Sequence, residues 1–260
     1  PARPAGGQCR RRAARRVRAV AMPLDKATLA AYAAEVDAAE ARVGALRARG
    51  DTVLCTPLEY SAALTAAVGG ERTAVYLKLE ALQPGGSFKI RGAVNKLTAL
   101  GAARRAKGVV LASTGNHALA CVLAARALND ACGDAAAKCK VTVVMPNGTV
   151  ASKRAPLEAA YLRDVVELRF AGDDCVESEA AARELAAQRG AEYVSPYNDV
   201  HVMAGQGTLA REIIDQLEAR RGPTAGAAAA AAPDAPPVDV VYVSVGGGGL
   251  IGGVAVYLKA

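Results

Sequence analysis

Apolar residues in this chain fall into two rhythms that alternate along its length. Short apolar runs, GVVLAST (108–114), KVTVVMP (140–146), DVVELRF (164–170) and VDVVYVSV (238–245), together with AVYLKLE (74–80) and AEYVS (191–195), predict strands. Between them apolar positions recur at helical spacing: Leu29 to Arg49, the run opened by Ser87, Asn116 to Leu128, from about Ser152, Val176 to Arg189, and from about Gly205 to Arg221. Apolar strands separated by helices belong in a parallel sheet covered on both faces, so the pattern predicts an α/β fold. Two stretches, NDACGDAAAKC (129–139) and RGPTAGAAAAAAPDAPP (221–237), break the rhythm and read as low-complexity surface insertions without chemistry. The last strand runs into GGGGLIGGVAVYLKA, a turn and a helix start, so the chain reads as C-terminally truncated.

Charge changes the picture at one end only. The chain has 260 residues, 52% of them apolar, enough for one large or two smaller cores, and a net charge of +7. Seven of its 32 basic residues are arginines within residues 1–24, a segment without an acid; the other 25 balance 25 acidic residues. An Arg- and Ala-rich, acid-free leader suits an organelle transit peptide, and a basic tail or nucleic-acid arm is the alternative reading. The expected location is an organelle, the chloroplast before the mitochondrion, and otherwise the cytoplasm. No apolar run reaches the length of a membrane helix, so neither membrane nor nucleic acid is expected as a partner of the body. Six cysteines without a C-x-x-C pair, and only two histidines, give no zinc spacing; the cysteines read as mostly free thiols.

Three strand-to-helix or turn-to-helix junctions carry candidate chemistry. Pro84-Gly85-Gly86 is a turn and Ser87 a candidate N-cap, which places Lys89 in a first helical turn, where the helix dipole disfavours a cation. In a dry cleft that placement destabilises the ammonium, and the neutral amine is what condenses with an aldehyde. Ser113, Thr114, Gly115, Asn116 and His117 gather hydroxyls, an amide and free N–H groups at a second junction, a nest suited to a carboxylate. Taken alone this is equally an ordinary helix cap with a core histidine. Gly246, Gly247, Gly248 and Gly249 form a phosphate cradle between a strand and a helix. Gly247, Gly249 and Gly252 also satisfy G-x-G-x-x-G, but a dinucleotide fingerprint normally opens the first βαβ unit, and here it comes last. An amine, a carboxylate nest and a phosphate cradle are together the parts needed to hold pyridoxal phosphate and an amino acid.

GGSFKIRGA (85–93), STGNH (113–117) and SVGGGG (244–249), in that order, resemble the fold-type II pyridoxal-phosphate enzymes, and within them the threonine/serine dehydratase and serine racemase group. TPL (56–58), KLE (78–80) and AGQGT (204–208) extend the resemblance from about Thr56 to Ala260; Ile90 and His117 separate it from the cysteine and threonine synthase branches. The resemblance implies a two-domain α/β fold like that of the tryptophan synthase β chain. The large domain would comprise 25–103 and 189–260, the small domain 104–188, with the cofactor between them. Lys89 would bond covalently to the cofactor and act as general base, Asn116 would lie beside its ring and 3′-hydroxyl, and Gly246 to Gly249 would hold its phosphate. Substrate carboxylate would fall to Ser113, Thr114, Gly115 and His117.

The activity so implied is β-elimination of water from L-threonine or L-serine. Serine racemases share its first step and carry a second proton donor, a serine, where this chain has Thr114. Family members are commonly homo-oligomers. The divalent cation of some members uses residues after the glycine loop, so no metal ligand is assigned. Two other readings stay open: a catalytically silent protein that binds pyridoxal phosphate and an amino acid, and a nicotinamide dehydrogenase built on the glycine loop.

Overall fold

A computed structural model describes residues 25–50, 52–69, 73–159, 162, 164–220 and 238–260. The leader (1–24) and the expected insertion at 221–237 lie outside the described residues. The chain opens with helix α1 (Lys26–Arg47), capped by Asp25, whose carboxylate accepts the Thr28 N–H. Strands β1 (Leu58–Tyr60) and β2 (Tyr76–Lys78) form an antiparallel pair with α2 (Ala62–Ala67) between them. Helices α3 (Lys89–Ala99) and α4 (Gly101–Arg105) follow.

Four parallel strands then build the main sheet: β3 (Val109–Ala112), β4 (Val141–Met145), β5 (Val166–Phe170) and β6 (Glu192–Tyr193), in the spatial order β5-β4-β3-β6. The helices that connect them are α5 (Asn116–Asp130), α6 (Ala151–Glu158) and α7 (Cys175–Arg189). All of β4 is buried, which is why KVTVVMP shows no alternation. Its residues still sort by face. Leu111, Val143 and Met145 join Ile90, Val94, Leu97 and Cys121 of α3 and α5 in one core, while Val110 and Val144 face Ala182 and Ala186 of α7.

Helices α8 (Val200–Arg220) and α9 (Gly249–Lys259) complete the structure with α1 and α3 in a helical layer. The AGQGT motif explains itself here. A Cβ on Gly205 would lie 2.6 Å from the Arg91 carbonyl oxygen of α3, and one on Gly207 would lie 2.7 Å from Val36 of α1, so the motif lets three helices approach α8 closely, α9 included through Gly253.

Three expectations need correction. Residues 238–245 form no strand: among the described residues none pairs with this run, and Tyr242 is 95% exposed. An apolar run reports a wish for burial, whereas a strand also needs a neighbour to complete its ladder. Ser87 is not the cap of α3, because the helix starts at Lys89 with Phe88 in the cap position and no side-chain cap bond. α8 starts at Val200, not near Gly205, because Asp199 accepts the N–H groups of His201 and Val202. The stretch 129–139 lies at the surface as expected, exposed or partly exposed from 130 to 138, and the buried Asn129 amide closes it by bonding both the N–H and the C=O of Cys139. The five described cysteines are free, as expected of thiols without a pairing pattern.

Candidate active site

Three of the helices begin at residues that the sequence singled out. Lys89 is the first residue of α3, Asn116 the first of α5, and Gly249 the first of α9. Each start leaves backbone N–H groups without intrahelical acceptors and the positive end of a dipole. In α5 the first bond back is from Leu119 N to Gly115 O, so Asn116, His117 and Ala118 present free N–H groups; in α9 it is from Gly252 N to Gly248 O at 2.8 Å. Helix starts of this kind favour an anion.

Lys89 is half-buried, and its Nζ donates to the carbonyl of Pro196 at 2.7 Å, with the Phe88 ring 5.2 Å away. No carboxylate lies within ion-pair distance of it among the described residues. Burial, with no acidic partner to offset it, therefore pushes its pKa below the usual 10.5, against an opposing influence of Cys121. The amine is thus placed to exchange protons and to react, which a solvated surface lysine is not.

At the second junction Ser113, Thr114 and Gly115 continue β3 into α5. The Ser113 Oγ accepts the N–H of Gly115 at 3.2 Å, the Thr114 side chain is partly buried, and Asn116 is exposed. His117 differs in kind. It is buried, its Nε2 bonds the Val194 carbonyl at 3.1 Å, and the Cys121 thiol lies 3.9 Å from Nδ1. The carbonyl fixes the proton on Nε2 and leaves Nδ1 as an acceptor. The imidazole thus faces the core, and what His117 offers a carboxylate is its backbone N–H in the first turn of α5.

The glycine loop divides by what lies in front of each residue. A Cβ on Gly246 or Gly248 would meet nothing within 4 Å, whereas one on Gly247 would lie 2.4 Å from the Tyr197 ring and one on Gly249 2.8 Å from the Tyr197 backbone. Gly248 also holds φ at +87°. Two glycines are needed to seat Tyr197, and the other two keep a space open at the helix N-terminus.

Residues 194–197, which no motif marked, therefore touch all three junctions. Only Ser195-Pro196, where the AEYVS run ends, signals a turn there, and nothing in a turn signal names its tertiary contacts.

These parts fit a phosphate-bearing aldehyde. Free N–H groups and open space at Gly246, Gly248 and α9 suit a phosphate, and an amine without an acidic partner suits an aldehyde. No group of three or more His, Cys, Asp or Glu among the described residues could hold a metal ion.

Comparison with known proteins agrees with the geometry. The family described as pyridoxal-phosphate dependent enzyme matches residues 50–260. The chain is 40% identical over 205 residues to the L-threonine ammonia-lyase of Thermotoga maritima, covering 79% of this chain and 43% of that protein. It is 36% identical over 204 residues to the mitochondrial threonine dehydratase of Schizosaccharomyces pombe, covering 78% and 29%. Among solved structures, processed threonine deaminase isoform 2 from Solanum lycopersicum superposes with a TM-score of 0.70 at 32% identity, covering 91% of this chain and 57% of that one. Maize serine racemase does so at 0.67 and 29%, covering 87% and 56%. The chain spans less than half the length of the curated relatives quoted. A nicotinamide reading of the glycine loop falls with the family match, because the loop, Lys89 and the STGNH turn all lie inside the matched span: this chain belongs to the pyridoxal-phosphate dependent enzyme family.

Proposed function

We propose that this chain is part of an ammonia-lyase that converts L-threonine, L-serine or both to a 2-oxo acid and ammonia. The observation that carries the reading is Lys89: an amine at a helix N-terminus, partly desolvated and bonded to a neutral carbonyl, not to an acid. Lys89 would hold the cofactor covalently through Nζ, and as a free amine the same Nζ would take the α-proton of the substrate. When bound, pyridoxal phosphate supplies the electron sink for that proton removal. The N–H groups of α5 hold the substrate carboxylate, Asn116 stands at the edge of the ring site, and the glycine loop with α9 holds the phosphate. The proton taken by Lys89 balances loss of the β-hydroxyl as water, and a later water releases ammonia and the 2-oxo acid.

Racemisation is the second reading, favoured by the hydroxyl of Thr114 beside the same cleft and by the likeness to a serine racemase. It begins with the same proton removal and returns the proton on the opposite face. Incubating the complete, leader-free protein and pyridoxal phosphate with L-serine and with L-threonine, and measuring 2-oxo acid and D-amino acid in the same samples, separates the two. Dominant 2-oxo acid supports the lyase, dominant D-amino acid the racemase, and neither product supports a silent binding protein.

Three coarser expectations join this proposal. The division into a large domain (25–103 and 189–260) and a small one (104–188) places the cleft at Lys89. Homo-oligomers are the expected assembly. An organelle, chloroplast first, is the expected location, supported by the acid-free leader and tested by sequencing the N-terminus of the protein from cells. No helix among the described residues is long and apolar enough to cross a membrane.

A further inference from the structure

Residues 194–197 touch the first turns of three separate helices within four positions. The Val194 carbonyl accepts from His117 of α5, the Pro196 carbonyl accepts from Lys89 of α3, and Tyr197 packs on Gly247 and Gly249 where α9 begins. The segment's other anchors are the Val194 side chain, which is buried in the core, and the Tyr197 hydroxyl, which donates to Glu179 at 3.5 Å. β6 pairs for two residues only, Val194 N–H adds one bond to the Val110 carbonyl, and beyond that the chain leaves the sheet. At the far end Asp199 anchors the start of α8, and between the two anchors Ser195 Oγ accepts the Asn198 N–H at 3.0 Å. A buried carbonyl requires a partner, and here two carbonyls of one short segment find it in side chains that open two different helices, not in the sheet.

We propose that Val194–Tyr197 is a strap that fixes the cofactor-bonding lysine and the phosphate cradle relative to each other, and that His117 is the positioning residue that holds the strap. This rests on the reading of Lys89 as the residue that bonds pyridoxal phosphate. His117 has the properties such a holder needs. It is buried and closely packed, its Nε2–H points at one carbonyl, and Cys121 stands behind it. Losing the His117 bond leaves the Val194 carbonyl without its partner while the Val194 N–H and side chain stay held, so the chain loosens just beyond Val194, at Pro196 and Tyr197. The lysine and the phosphate site then lose their mutual register, although neither Lys89 nor a glycine has changed. Catalytic geometry tolerates little such drift.

The test compares His117→Leu, His117→Gln and Ser195→Ala with the natural chain, and uses Lys89→Ala as control. Two quantities are read: the Kd of pyridoxal phosphate by absorbance titration, and amide hydrogen exchange of 194–198 in the cofactor-free protein. Gln places an amide donor near the position of Nε2. The expected result is at least a tenfold weaker Kd and faster exchange in His117→Leu, restoration of most of both in His117→Gln at similar thermal stability, and a smaller change of the same sign in Ser195→Ala. His117→Leu binding within twofold of the natural chain, with unchanged exchange, overturns the strap. If His117→Leu does not fold, the same result in Ser195→Ala overturns it. Equal binding by Lys89→Ala and the natural chain removes the reading of Lys89 and the strap with it; Lys89-dependent binding that the strap variants leave intact removes the strap alone.

Discussion

Arg91, with none of its side chain exposed, donates to both carboxylate oxygens of Glu212, at 2.7 and 2.8 Å, and to both oxygens of Glu80 at 2.8 Å. Lys78 reaches the same Glu212 at 2.7 Å. Arg91 lies two residues after Lys89, about 200° around the helix. The pairing therefore clamps the back of the turn from which Lys89 projects, a turn that has no side-chain cap. Removing one member of a buried network strands the others: Arg91→Met is expected to cost about 3–5 kcal/mol, and Arg91→Lys less, because it keeps the charge and loses the fork. Urea unfolding of the cofactor-free chain measures both, and a loss under about 1 kcal/mol in Arg91→Met would show that the network is not what holds this turn.

Acid should weaken the fold in two separable windows. Burial pushes the His117 pKa from 6.5 down to about 4, outweighing the Val194 carbonyl that favours the charged ring. The folded state thus binds fewer protons than the unfolded one between those values, so stability is full above pH 6.5 and falls toward pH 4. The span is worth roughly 3 kcal/mol, at about 1.36 kcal/mol per unit. Burial alone raises the Glu212 pKa, but the hydrogen bonds and charge of Arg91, then Lys78, hold it below 4.5. Its contribution is present above pH 4.5 and is lost as pH falls through the lowered value. His117→Gln should flatten the upper window and Glu212→Gln the lower one in unfolding curves taken between about pH 7 and pH 3; identical slopes in the natural chain and His117→Gln would contradict a neutral buried imidazole.

Much of this site is legible in the chain because helix starts have local signatures. Gly85-Gly86 before Lys89, Gly115 before Asn116 and the four glycines before Leu250 mark where backbone turns into helix, and candidate chemistry sits close behind each. The sheet is legible in VVLA and VTVVM for the same local reason. What stays hidden depends on partners distant in sequence. His117 reads equally as a carboxylate ligand and as a core histidine until Val194, 77 residues on, claims its ring. Residues 238–245 read as a strand because hydrophobicity says what wants burial but not what is there to pair with. Arg91 reads as part of a motif, and only tertiary structure shows that its partners are Glu80 and Glu212.

Within the glycine loop, folding and binding should separate by position. Gly249→Ala sets a methyl 2.8 Å from the Tyr197 backbone, which cannot turn aside, and Gly247→Ala sets one 2.4 Å from Cγ and Cδ1 at the root of the Tyr197 ring; each is expected to lower stability by about 1–3 kcal/mol. Gly246→Ala points into open space and should leave unfolding within about 0.5 kcal/mol of the natural chain, while narrowing the place reserved for a phosphate. Thermal unfolding without cofactor, read beside the Kd of pyridoxal phosphate, checks each. Unchanged binding in Gly246→Ala would move the phosphate away from that side of the loop.

On the proposed lyase reading, Thr114 bears on which product leaves the site. Its hydroxyl is the group that the racemase reading requires, but the branched Cβ restricts χ1 to fewer positions than a serine has. A proton donor that is held off line returns few protons to the opposite face, so elimination should dominate in the natural chain, with a small D-serine fraction. Thr114→Ser relaxes the rotamer and should raise the ratio of D-serine to pyruvate severalfold, whereas Thr114→Ala should lower it at least tenfold. Measuring both products in each reaction makes the ratio independent of how much active enzyme each preparation contains. If the ratio is the same in all three forms, Thr114 does not carry the second proton, and its hydroxyl belongs with Ser113 at the carboxylate nest.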